Sequence, residues 1–157
     1  VRNLYLVAIM LILFGIVLIN VEKYAKIREK QNLTIPSALT IGMSQALALV
    51  PGVSRSGATI STGLALGYSR EHSTRFAFLL AIPAVFASGF FELRKGFSGG
   101  FQWGPTILAT AVSFVIGIIV IHWLLKFITK YSFRIFGWYR IILGVLILCL
   151  LYFGVLA

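Results

Sequence analysis

Residues 33–68 read LTIPSALTIGMSQALALVPGVSRSGATISTGLALGY, and these 36 positions hold one charge, Arg55, at their middle. Thr34 to Val50 supplies 17 residues, enough for a helix that nearly crosses a hydrocarbon core of about 30 Å. Pro51-Gly52-Val53-Ser54-Arg55-Ser56-Gly57 then interrupts it, because proline removes a backbone donor and glycine admits turns. What remains, Ala58 to Tyr68, is about 16 Å long as a helix, too short to span. Helix, break and short helix predict a re-entrant hairpin. Irregular backbone at membrane depth survives only where it is buried in protein or faces a water-filled cavity. The break is therefore expected to line a cavity.

On either side lie longer apolar runs. Leu4 to Ile19 is bracketed by Arg2 and Glu22, and Glu22 to Lys30 reads as a dense polar loop. Phe76 to Phe91 is uncharged, with Pro83 as an expected kink, and Glu92 to Gly104 reads as a Gly-rich surface loop. Thr106 to Leu125 is a clear span with Trp103 and Trp123 as interfacial anchors; His122 near its end reads as an interfacial residue. Lys126, Lys130, Arg134 and Arg140 punctuate a basic loop before a last span, Ile141 to Leu156. The expectation is an all-α integral membrane protein, a single membrane domain over 1–157. It has about four transmembrane helices plus one re-entrant helix–break–helix hairpin over 33–68.

Composition agrees. The chain is 59% hydrophobic and 11% charged, against roughly 45–50% and 25% in soluble domains, which excludes a disordered chain and an ordinary cytosolic enzyme. The net charge of +10 is spread between apolar runs, as the positive-inside rule and anionic headgroups favour, and forms no nucleic-acid patch. Cys149 stands alone inside an apolar run, so no disulfide framework or cysteine metal site is expected.

Arg55 is the most informative residue. A charge at bilayer centre costs at least roughly 2.5–3.5 kcal/mol on insertion scales, so it has either a partner or a task. The structural alternative is an arginine that pairs with a carboxylate or with backbone carbonyls and only holds helices together. Its neighbours favour a task. Ser54, Ser56 and Thr59 supply hydroxyls, Gly52 and Gly57 allow close backbone approach, and a helix begins just after the break. Free amides at that helix start together with a guanidinium suit phosphate. Gly52 to Thr59 approaches the P-loop pattern, but Ala58 stands where its lysine belongs and no strand precedes it. A Ser-Arg followed by histidine on the next turns also fails, since Ser61 and Thr62 lie there, and Glu71-His72 reads as a solvated turn.

The run Gly42-Met43-Ser44-Gln45-Ala46-Leu47-Ala48-Leu49-Val50 followed by PGVSRSGATIS, together with Arg75 to Ala84 (RFAFLLAIPA), strongly resembles the undecaprenyl-diphosphate phosphatase, or bacitracin-resistance, family. The resemblance implies hydrolysis of the C55 lipid diphosphate to its monophosphate at the outer face of the bacterial plasma membrane. This recycles the carrier for peptidoglycan synthesis and confers bacitracin resistance. It implies Arg55, Ser54 and Thr59 as catalytic residues, with Gly52, Ser54, Arg55, Ser56, Gly57 and Thr59 binding the diphosphate. Family members are built from two inverted halves, and the first half carries a glutamate motif and a Ser-Ser-x-Gly-His stretch that nothing here matches. The chain, which begins at Val1 and not Met, is thus expected to be the C-terminal half of a longer one. A divalent cation (Mg or Ca) is implied by resemblance, with its ligands outside this sequence. The expected partners are the polyprenyl diphosphate, the bilayer, the preceding half of the chain and a second copy as a homodimer, with no nucleic acid. The competing classes are a transporter or lipid-phosphate-binding module using the same anion site, and an inactive fragment.

Charge also predicts orientation. With a re-entrant hairpin, the segments 22–30, 69–75 and 126–140 share one side and hold ten Lys/Arg, against three (Arg2, Arg94, Lys95) opposite. The richer side is expected to be cytoplasmic, with Ala157 outside.

Overall fold

Apolar runs of this length cannot remain in water, and the computed structural model, which describes residues 3–24, 32–96 and 102–154, folds them all as helices. These are α1 (Leu4–Tyr24), α2 (Ile35–Ser44), α3 (Arg55–Ala65), α4 (Arg70–Gly96), α5 (Trp103–Lys130) and α6 (Arg134–Tyr152). Helices α1, α4, α5 and α6 are long and apolar enough to cross a membrane. No strand occurs among the described residues. The chain is an all-α, multi-pass membrane protein.

Helices α1 and α6 form the tightest pair. Between apolar helices in lipid, association comes from close packing, which small residues permit. A Cβ on Gly144 would lie 2.8 Å from the Ala8 carbonyl oxygen, and one on Gly15 would lie 2.8 Å from that of Gly137. Any side chain there pushes the two backbones apart.

The stretch between Leu33 and Tyr68 folds as helix, break and helix. Thr34 caps α2, its Oγ1 accepting from the Ser37 amide, with proline in the first turn. A 3-10 turn over Gln45–Leu49 continues α2 into the break.

Several element ends differ from the sequence reading. Helix α4 starts at Arg70, before Phe76, and takes up Glu92 to Gly96 of the expected loop, with Pro83 inside it. Lys126 and Lys130 belong to α5, and Arg134 and Arg140 to α6, so the basic loop between them shrinks to 131–133. The cause is common to all. Sequence places each boundary at a charge, but a charge does not end a helix whose backbone bonds remain satisfied. Arg2, Lys26, Arg28, Lys30, Ser98 and Val155 to Ala157 lie outside the described residues.

At one end of the bundle, Leu18, Ile60, Leu64, Ala77, Ile128 and Phe133 form the buried core. Just beyond it is a knot the sequence does not announce. Glu22 reads in sequence as the start of a solvated loop, yet it sits in the last turn of α1 with its side chain 2% exposed. It pairs with Arg70 Nε at 2.6 Å and accepts the amides of Phe133 (3.1 Å) and Arg134 (3.0 Å) and the hydroxyl of Ser132. A carboxylate on these amides also faces the positive end of the α6 dipole. The end of α1, the start of α4 and the α5–α6 connection therefore meet at one point.

Candidate functional site

The break is built by glycine and held by arginine. Gly52 has φ +93°, a region that L side chains rarely adopt, and a Cβ there would lie 2.6 Å from the Val7 carbonyl oxygen on α1. Arg140 Nη2, on α6, donates to the Gly52 carbonyl at 2.9 Å, while Arg140 Nε is buried without a partner among the described residues. The unwound segment is thus gripped from α1 and α6 together. In sequence Arg140 reads as a loop charge. The signal that could have found it is the one that finds Arg55, a lone cation next to a long apolar run.

Ser54 is the N-cap of α3. Its backbone is extended, its Oγ accepts from the Gly57 amide at 3.1 Å, and its carbonyl accepts from Ala58 at 2.8 Å. That leaves the Arg55 and Ser56 amides as first-turn donors with no acceptor in the helix itself. Ser54 Oγ and Ser56 Oγ stand 3.2 Å apart. Thr59 is placed differently: it is buried, and its hydroxyl donates back to the carbonyls of Arg55 and Ser56 at 3.0 and 3.1 Å. Its single proton is engaged in bracing the helix start.

The motif is divided between two cavities. Ser54, Ser56 and Gly57 line a cavity of about 250 Å³ shared with Arg140, Tyr139 and Phe136. Arg55 instead enters a cleft of about 790 Å³ between α4 and α5. Phe78 lies on the wall of both. Among the described residues Arg55 has no carboxylate partner, whereas Arg70 has Glu22 and Arg75 has Glu71 at 2.9 Å. A purely structural role for Arg55 has no counter-ion among them.

Among the described residues the donor chemistry does not fit a divalent cation. Glu22 is occupied by Arg70 and three hydrogen-bond donors, Glu71 by Arg75, and Glu92 lies toward the last turns of α4. The break presents two guanidiniums, which repel a metal ion. His72 is also engaged away from the break, its Nδ1 2.8 Å from Ser69 Oγ, and no base is placed beside Ser54 among the described residues. What the arrangement can do is bind and neutralise an anion at the edge of an apolar space.

Comparison with known proteins agrees with that chemistry. An undecaprenyl-diphosphatase of Renibacterium salmoninarum is 48% identical over 99% of this chain and 58% of its own length. Undecaprenyl-diphosphatase 2 of Streptomyces avermitilis is 49% identical, and that of Agrobacterium fabrum 48%, with coverage of 99% of this chain and 58% and 57% of theirs. The chain therefore spans a little under three-fifths of the length of these relatives. The family model described as bacitracin resistance protein BacA matches residues 1–146, a stretch containing the break, its arginines and the helices that hold them. The chain belongs to that family.

Proposed function

We propose that the full-length protein hydrolyses undecaprenyl diphosphate to undecaprenyl phosphate in the bacterial plasma membrane. This would recycle the carrier lipid for peptidoglycan synthesis and confer resistance to bacitracin. The observation that carries the reading is the capped start of α3. There Ser54 and the first-turn amides lie on one side of an unwound, glycine-built break and Arg55 on the other, and a second arginine braces the break from α6. Relatives whose printed name is undecaprenyl-diphosphatase match across the same residues.

In the proposed reaction water adds to the terminal phosphorus, the bond to the bridging oxygen breaks, and that oxygen leaves on the lipid monophosphate. Such transfer is governed by positioning and charge stabilisation. Arg55 neutralises charge on the diphosphate from the α4–α5 side, the α3 amides and the Ser54 hydroxyl are donors at the opposite side of the break, and Arg140 fixes the break. The base that activates water is supplied from outside these residues. Phosphate release from a C55 diphosphate by the full-length protein, abolished in Arg55→Ala, is the expected result, with residues 1–157 alone releasing none. Arg55-dependent binding without release would replace the hydrolase by a lipid-phosphate carrier.

We also infer that the hairpin is re-entrant. Glu22 and Arg70, the residues flanking it, form an ion pair, which supports departure and return on one side. The Gly52 contact with Val7 is about 20 Å along α1 from Glu22, so the tip reaches most of the way to the opposite face. With Arg140 counted at the break, nine Lys/Arg in place of ten remain on the Glu22 side, still far above three. A cysteine at His72, in Cys149→Ser, is expected to resist an impermeant label from outside; labelling there would mean the segment crosses.

A further inference from the structure

We propose that the cleft between α4 and α5 holds the isoprenoid tail of the lipid diphosphate and sets the chain length that the protein accepts. This rests on the reading of the break as a polyprenyl-diphosphate site. The argument begins with the direction of Arg55. Arg55 lines the α4–α5 cleft, so a phosphate that it holds there places the attached tail at the mouth of that cleft.

The two cavities differ in what they can contain. The one on the Ser54 side is about 250 Å³ and walled by aromatic side chains of α6, whereas the cleft is about 790 Å³. Along α4 the cleft runs from Arg75 to Phe86, about 16 Å of helix. Across Val85, Phe86 and Phe114 it continues into a second opening of about 850 Å³ that reaches Pro105. On α5 the two together extend from Pro105 to Leu125, about 30 Å, the thickness of a hydrocarbon core.

The chemistry of the walls suits a branched hydrocarbon with an anionic head. Phe78, Ile82, Phe114 and Ile121 are apolar. Thr106 and Thr110 turn their hydroxyls back onto the carbonyls of Gln102 and Thr106, both at 2.8 Å, leaving methyl groups as the surface. Arg55 supplies the complementary charge and, among the described residues, has no carboxylate of its own. Ile82 and Phe114 are 50% and 68% exposed, so among the described residues the cleft is open sideways, toward where a tail would enter from the bilayer. Lipid is as apolar as these walls, so the tail gains little from burial. The cleft selects by fit and not by affinity.

The test uses the full-length protein in lipid nanodiscs with Cys149→Ser. A benzophenone amino acid is placed at Ile82, at Phe114 or, as a control on the outer face of α6, at Val145, and each is irradiated with a C55 diphosphate. Lipid adducts at 82 and 114, absent at 145 and reduced at least fivefold by Arg55→Ala, are expected. Adducts at 82 and 114 to a preceding segment of the same chain would show that protein fills the cleft and would overturn the proposal, as would equal lipid labelling at 145. Independently, Ile82→Trp is expected to lower the ratio of kcat/KM for C55 over C15 diphosphate at least tenfold. An unchanged ratio, or an equal loss on both substrates, would also overturn it. Were the wild type to release phosphate from neither substrate, the hydrolase reading would fail while the adducts still decided the cleft.

Discussion

Arg55→Lys in the full-length protein is expected to lose nearly as much turnover as Arg55→Ala, about 10²–10³-fold in kcat/KM. The guanidinium is a planar fork that grips two phosphoryl oxygens in fixed directions, while an ammonium acts as a point charge. The site gives lysine no help. The other charges around it, Arg75 in the same cleft and Arg140 at the break, are also cations, and among the described residues no carboxylate partners Arg55 to orient a shorter, more flexible side chain. Phosphate release from the C55 diphosphate, measured at saturating and limiting substrate, distinguishes the outcomes. A Lys variant within about threefold of wild type would sink the bidentate role.

The largest effect on stability is expected at Glu22. Removing one member of a buried pair costs about 3–5 kcal/mol, and Glu22→Ala also strands the Phe133 and Arg134 amides and the Ser132 hydroxyl. Because Arg70 is about a third exposed, solvent screens part of the loss, and about 3 kcal/mol is the expected figure. Glu22→Gln keeps an acceptor for the amides and gives up only the charge, so it should fall between. Thermal unfolding in detergent reads the order wild type, Gln, Ala. An Ala variant that melts with the wild type would show that the knot contributes nothing.

How much of this was legible in the chain depends on where each charge stands. Arg55 could be read because it is surrounded by apolar residues on both sides, where no solvated alternative exists. The four spans followed from length and hydropathy for the same reason. Glu22 and Arg140 read in sequence as solvated, since each lies at the edge of an apolar run, where a charge exposed to water is the ordinary outcome; for Arg140 the neighbouring apolar run is a signal, but a weaker one than at Arg55. Only their tertiary neighbours, the first amides of α6 and the carbonyl of Gly52, reveal them as buried fixtures. The motif residues themselves were found, but their separation was not drawn. Ser54 is the extended cap that precedes the helix, so its direction depends on the break and not on a helical period, and Thr59 lies one turn on, where its hydroxyl folds back on the carbonyls of Arg55 and Ser56.

The glycine seam between α1 and α6 has a consequence for biogenesis. It joins the first described helix to the last, so α1 enters the bilayer before Gly137 and Gly144 exist to pack against Gly15 and Ala8. At roughly 5–20 residues per second the delay is on the order of ten seconds. Throughout it the Glu22 carboxylate lacks the α6 amides, and during the first part it lacks Arg70 as well. Until Arg70 emerges, the nascent chain must keep that end of α1 in the headgroup layer. The grip on the break is therefore completed last, and a ribosome that stops before α6 leaves behind a motif that rests on α1 without the Arg140 bond.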